Sequence, residues 1–179
     1  ILCLGHSQTD VAETFLIRLA RGSGVDGLAS MAARWEQQDL QWGRPFLGLS
    51  REELREYLNS NNQSWCDDPS NVDIKYTRVQ IRQSQKQLEQ LGLSTARLSK
   101  TANRMSNVRE ALTFALKNIR PQLMENDFGD ILIDHAKLMR LPTEFSERIM
   151  AEALCWVGQQ TYRPRNLALR RAIITKTTF

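Results

Sequence analysis

ILCLGHSQTDVAETFLIRLARGSG, residues 1–24, holds a strand, a loop and a helix in one pass. Ile1–Leu4 is an unbroken apolar run that meets a turn residue at Gly5, so it is expected to be a buried core strand covered on both faces. A helix is expected to begin at Asp10, because Ala12, Phe15, Leu16 and Leu19 recur at helical spacing. Gly22 and Gly24 stop it, since glycine takes the left-handed backbone of a helix end without a Cβ clash. Together these make one α/β unit, and open α/β sheets carry their ligand crevices at the carboxyl ends of their strands. His6 stands just beyond such an end.

Outward from this stretch, Val25–Ala33 reads as a second short helix and Trp42–Leu49 as extended chain, with Pro45 marking an edge or a loop because it cannot donate a ladder hydrogen bond. Ser50 with Glu53 forms a capping box that opens a helix to about Asn59, closed by Asn61-Asn62. Residues 65–71, WCDDPSN, are dense in turn formers. After Thr77 strand signals nearly vanish. Leu98, Ala102, Met105, Val108, Leu112, Ala115 and Ile119 predict one long amphipathic helix from Ser94 to before Pro121, its apolar stripe in the core. Ile131–Ile133 suits a lone strand or a turn, Thr143 to Gly158 another helix, and Arg165 to about Thr175 a last one. The expected fold is an α/β remnant over residues 1–92 followed by a mainly α-helical domain over residues 93–179.

The composition agrees with that division. A chain of 179 residues, 41% hydrophobic, suffices for one domain or for one domain and part of another. No apolar run approaches the roughly 20 residues of a bilayer span, so no membrane segment is expected. Cys3, Cys66 and Cys155 are too scattered for a disulfide framework or a Cys-x-x-Cys metal site, and a reducing cytoplasm is the expected location. The net charge of +4 is unevenly spread: residues 1–76 carry 7 basic and 11 acidic side chains, and residues 77–121 carry 9 basic and 2 acidic. Basic residues without any acid follow Glu152. Such blocks serve either as phosphate-facing surfaces or as solvated helix faces.

Asp10 and Glu13, three apart, share a helix face and suit Mg²⁺ or a nucleotide. Arg18 and Arg21 suit phosphate oxygens, and Gly22 and Gly24 let backbone amides approach an anion. The same residues also suit a plain helix, with acids at its positive end, arginines at its negative end and glycines closing it. His135, beside Asp134, reads as a surface or helix-start residue, and Trp35, Trp42, Trp65 and Trp156 read as packing residues.

Residues 5–31, GHSQTDVAETFLIRLARGSGVDGLASM, resemble without a gap the segment of tRNA(Ile)-lysidine synthetases that reads close to GHHxDDQAETxLxRLxRGxGxxGLxxM. The likeness continues through Arg44-Pro45-Phe46-Leu47, the helix start Ser50-Arg51-Glu52-Glu53, Trp65, residues 67–71 (DDPSN) and Tyr76-x-Arg78-x-x-Ile81-Arg82. This ordered set spans roughly residues 2–83. The chain departs from the family pattern at Ser7, Thr9, Val11 and Val79, where His, an acid, Gln and Asn are usual.

The resemblance implies a doubly wound PP-loop ATP pyrophosphatase domain, adenine nucleotide alpha hydrolase-like. It implies an enzyme that uses ATP and Mg²⁺ to adenylate the wobble cytidine of a CAU-anticodon tRNA(Ile), after which lysine displaces AMP. On this basis His6, Asp10, Arg18 and Arg21 are the expected catalytic residues, and His6, Glu13, Thr14, Gly22 and Gly24 border the nucleotide. Asp10 is the expected Mg²⁺ ligand, while Arg44, Asp68, Asn71, Arg78 and Arg82 shape the lysine and tRNA side of the cleft or its supporting network. A homodimer is left open. The family's SGGxDS phosphate loop occurs nowhere in the 179 residues and is expected before Ile1, so the chain is expected to be an inactive fragment of a longer enzyme. The competing reading is a non-catalytic RNA-binding or interaction module derived from such an enzyme.

Overall fold

The computed structural model describes residues 1–66, 73–160, 163, 164 and 166–174. The chain forms two compact units, Ile1–Arg109 and Glu110–Phe179. Among the described residues no helix is long and apolar enough to cross a membrane.

The first unit opens with β1 (Leu2–Cys3), α1 (Gln8–Ala20) and α2 (Val25–Leu28), followed by the hairpin β2 (Arg34–Gln37) and β3 (Leu40–Gly43). Next come α3 (Arg51–Ser60), α4 (Thr77–Gln83), α5 (Gln85–Gln90) and the first turns of α6 (Thr95–Ile119). The sheet order is β1-β3-β2, with β1 parallel to β3 and β3 antiparallel to β2. The hairpin turns at Gln38 and Asp39, whose φ angles of 53° and 59° give the doubly left-handed two-residue turn that matches strand twist. No glycine marks it, and so the sequence reading missed β2. Extended chain was expected over Trp42–Leu49, but the strand stops at Gly43 and residues 45–48 form a turn beginning at Pro45.

The expectation of a buried opening strand is corrected. Ile1 is 87% and Leu2 46% exposed, because the core of this unit is built between helices: Val11, Ala12 and Phe15 of α1 pack with Leu98 and Ala102 of α6, and the sheet contributes nothing to that cluster. α1 starts at its cap Ser7, earlier than expected, and ends at Arg21. Gly22 follows with φ +71° and its N–H bonds the Leu19 carbonyl. α3 begins and ends as its capping box and Asn61 require. The helices α4 and α5 were not foreseen.

The second unit holds the end of α6, a 3-10 turn over Arg120–Gln122 at Pro121, and the hairpin β4 (Met124–Asp127) and β5 (Asp130–Ile133). It continues with α7 (His135–Leu138), α8 (Thr143–Val157) and α9 (Asn166–Ile174). Leu123, Leu138 and Ile149 form its core, with Leu116, Ile119, Met124 and Ile133 packed against them. The buried Glu147 of α8 accepts from Arg170 Nε of α9 at 2.7 Å. His135 does open a helix, and its Nε2 lies 2.9 Å from the Ile173 carbonyl oxygen.

The division between units falls inside α6 and not at the change of sequence character near residue 92. The long stripe on α6 is therefore core only in part. Leu98 and Ala102 complete the first cluster, Leu116 and Ile119 lean on the second, and Val108 between them is 42% exposed. Trp65 and Trp156, expected to pack, are 41% and 48% exposed.

Candidate functional site

The first turn of α1 organises the site. Ser7 caps the helix, and Asp10 Oδ2 accepts from both the Ser7 N–H and the Ser7 hydroxyl at 2.9 Å, the reciprocal half of a capping box. The loop that precedes it is held by the Leu4 N–H on the Gly43 carbonyl, and the Gln8 N–H bonds the Leu49 carbonyl, both at 2.8 Å. His6 is thereby set between the end of β1 and the start of α1, beside Arg44 at the end of β3, whose Nε donates to His6 Nδ1 at 3.1 Å.

Across from α1 lies α4, and the two helices meet through a ladder of charges. Arg78 Nη1 stands 3.7 Å from Asp10 Oδ1, and Arg82 grips Glu13 with Nε to Oε1 at 2.5 Å and Nη2 to Oε2 at 3.2 Å. Acids three apart on one helix face arginines four apart on the next, because both spacings return to the same helix face. The Glu13 carboxylate hydrogen-bonded to it holds the Arg82 guanidinium above its ordinary range, against the opposing effect of burial. Burial of Asp10 favours its neutral form and is the largest single influence on it. The two Ser7 hydrogen bonds and the charges of Arg78 and Arg51 together outweigh it and hold the carboxyl below the ordinary carboxylate range.

A depressed folded-state pKa means that ionised Asp10 adds stability above its unfolded value of about 3.9, and that this contribution fades as pH falls through the folded value. Asp10→Asn is therefore expected to be less stable than the parent at pH 7, with the gap closing in strong acid. Urea unfolding across that range checks it, and a gap that stays constant with pH would count against the assignment.

The structure does not bring every expected residue to this end of α1. Arg18, Arg21, Gly22 and Gly24 lie toward the other end of a 13-residue helix, with Arg18 about 12 Å and Arg21 about 17 Å from Asp10 along the axis at 1.5 Å per residue. Arg18 Nη1 donates to the Gly27 carbonyl at 2.8 Å and so pins α1 to α2. The Gly22 N–H closes the helix, and Gly24 takes the Leu28 N–H at 3.0 Å. The Arg18 side chain and the Gly22 and Gly24 backbones thus close α1 and open α2. Thr14 Oγ1 is buried and has no hydrogen-bond partner among the described residues. Asp68 and Asn71 lie outside the described residues.

For Mg²⁺ the donor set is thin. Asp10 is already engaged by Ser7 and Arg78, Glu13 is bonded to Arg82, and among the described residues no three His, Cys, Asp or Glu side chains gather to hold a metal. These residues do not build a Mg²⁺ site by themselves.

Sequence reasoning missed three contributors: Ser7 as the cap, Arg51 as a charge near Asp10, and Trp35, whose ring lies 4.1 Å beneath the Arg44 guanidinium. The Ser7-x-x-Asp10 spacing, the same as Ser50-x-x-Glu53, was the available signal for the first. Two of the family departures have a packing role, since Val11 and Val79 are 2% and 5% exposed.

Residues 1–89 match the PP-loop domain family. Over 172 residues, 96% of this chain and 41% of the relative, the sequence is 37% identical to a tRNA(Ile)-lysidine synthase of Ruegeria pomeroyi. A tRNA(Ile)-lysidine synthase of Anaplasma marginale is 32% identical over 165 residues, 92% of this chain and 35% of the relative. One of Legionella pneumophila is 46% identical over 81 residues, 45% of this chain and 19% of the relative. The chain thus spans less than half the length of each of these relatives. Because the family match takes in both α1 and α4, and with them both sides of the charge ladder, residues 1–89 belong to the PP-loop domain family, and the chain is similar along nearly its whole length to tRNA(Ile)-lysidine synthases.

Proposed function

We propose that this chain is part of an ATP-dependent tRNA(Ile)-lysidine synthetase, which adenylates the wobble cytidine of CAU-anticodon tRNA(Ile) and then attaches lysine through a new C–N bond. The observation that carries the reading is the pairing of Asp10 and Glu13 with Arg78 and Arg82, which joins two of the motif segments into one wall beside His6. The PP-loop match supports ATP use, and the names of the relatives support tRNA(Ile) as the substrate. The first unit holds the carboxyl-side part of a doubly wound ATP-binding domain, and the second is a mainly helical unit that contacts tRNA. His6 and Thr14 border the nucleotide, Asp10 and Arg78 face the reacting groups, and Glu13 with Arg82 keeps the two helices in register. Asp68 and Asn71 belong to the lysine and cytidine side, and Arg21 to the tRNA path. The enzyme works in the cytoplasm. No step is assigned to Mg²⁺, given the donor set described above.

The test is genetic and chemical together. In a bacterium depleted of its own lysidine synthase, the gene that carries this segment is expected to restore lysidine at the wobble position, read by nucleoside mass spectrometry. Asp10→Asn in the same gene is expected to abolish it. No lysidine from the unaltered gene would overturn the proposal.

The 179-residue chain alone is expected to turn over no ATP, because no SGGxDS segment is present in its sequence. It is expected to bind the tRNA weakly, with log K falling linearly in log salt by about 0.7–0.9 for each phosphate neutralised. Filter binding at several salt concentrations and a pyrophosphate-release assay check this. Binding that ignores salt, or ATP turnover by this chain, would contradict it.

A second reading, a non-catalytic RNA-binding or interaction module, is favoured by one observation: Thr9 stands where the family pattern usually has the first of two adjacent acids. It expects tRNA binding without any lysidine from the gene.

A further inference from the structure

His6 is half-buried and is hydrogen-bonded by a residue far along the chain. Arg44 Nε donates to His6 Nδ1 at 3.1 Å. A guanidinium has donors only, so the direction of this bond is forced: Nδ1 carries its lone pair toward Arg44, and in the neutral ring the proton sits on Nε2. Arg44 is itself fixed from several sides. Its Nη1 donates to the Ala32 carbonyl and its backbone N–H to the Ala33 carbonyl, both at 2.8 Å. Its guanidinium carbon lies 4.1 Å from the centroid of the Trp35 ring, and Trp35 stacks on Trp42 with centroids 5.7 Å apart. A planar guanidinium stacked on an indole keeps its N–H fork in one plane, which a lysine ammonium cannot do.

We propose that Arg44 is a positioning residue that holds His6 as the Nε2–H tautomer, so that His6 offers a ligand a hydrogen-bond donor for a phosphate or carbonyl oxygen. A base or a metal ligand needs a lone pair on that nitrogen, and this tautomer has none there. The ligand-facing role of His6 rests on the proposed function, whereas the tautomer does not.

Long-range ¹H–¹⁵N spectra of the ¹⁵N-labelled chain, taken at a pH where imidazole is neutral, read the tautomer directly. The sequence has only two histidines, so His135→Gln assigns both signals. His6 is expected to show a single Nε2–H pattern in the parent and a mixture of tautomers in Arg44→Met, with the His135 pattern unchanged. An Nδ1–H or mixed pattern for His6 in the parent overturns the proposal, as does an unchanged pattern in a folded Arg44→Met protein. Should Arg44→Met lose its amide dispersion, Trp35→Leu takes its place: it leaves the Arg44 donor and removes the stack, and a rise in the Nδ1–H share is expected. A Trp35→Leu spectrum identical to the parent would remove Trp35 from the assignment of Arg44's fixed plane and so overturn that part. The spectra need neither ATP nor tRNA, so the tautomer and the tRNA-modification reading fail separately.

Discussion

Arg82→Met is expected to destabilise the first unit by about 3 kcal/mol, near the lower end of what breaking a buried ion pair costs. The asymmetry of the pair sets this. Glu13 has a side chain only 4% exposed, whereas that of Arg82 is 21% exposed. Removing Arg82 strands a carboxylate that cannot reach water, while methionine keeps most of the apolar stem and so limits the lost packing. Glu13→Gln is the milder change, about 1–2 kcal/mol, because the amide retains an acceptor and Arg82 can turn toward solvent. The double replacement Glu13→Leu with Arg82→Met is expected to recover most of the loss, since an apolar pair of similar volume carries no desolvation cost. Urea unfolding followed by the fluorescence of Trp35 and Trp42 measures all three. An Arg82→Met midpoint indistinguishable from the parent would show that the α1–α4 contact does not depend on the ladder.

Ile149→Ala is expected to cost about 3–4 kcal/mol in the second unit, the range for removing a large buried aliphatic side chain and leaving a cavity. Ile149 is fully buried on α8 and packs with Leu123 and Leu138, themselves 5% and 0% exposed. Among its described residues few others are so deeply placed, and small domains bury a smaller share of their surface, so one lost side chain is a large part of the total. Val157→Ala on the same helix is the control: Val157 is 59% exposed and its truncation is expected to stay within about 0.5 kcal/mol. Trp156, the one tryptophan beyond Arg109, reports the transition. Equal effects from the two substitutions would mean that α8 does not bury the face described.

Much of the local structure could be read before any coordinates. The stop after Arg21, the capping box at Ser50, the long helix ending before Pro121 and the helix ending at Gly158 all follow from which residues tolerate helical backbone and which cap it. Failures came where that signal was weak. The hairpin turn at Gln38-Asp39 lacks glycine, and α4 and α5 are short and mostly polar, so neither periodicity nor turn chemistry announced them. The opening strand misled because an apolar run records a preference for burial, and only neighbouring layers can satisfy it.

The sequence by itself determined the strand, loop and helix order of residues 1–24, the stop after Arg21, and the ordered motifs that resemble a PP-loop enzyme. Only the tertiary structure decided how the charged residues are used. Asp10, Glu13, Arg18, Arg44 and Arg82 looked alike as ligand-binding candidates, yet Arg82 belongs to Glu13 across 69 residues of chain, Arg44 to His6 across 38, and Arg18 to the carbonyl of Gly27. Hydrogen bonds and ion pairs act over a few ångströms of space, and the separation of two residues along a chain does not say whether folding will bring them that close.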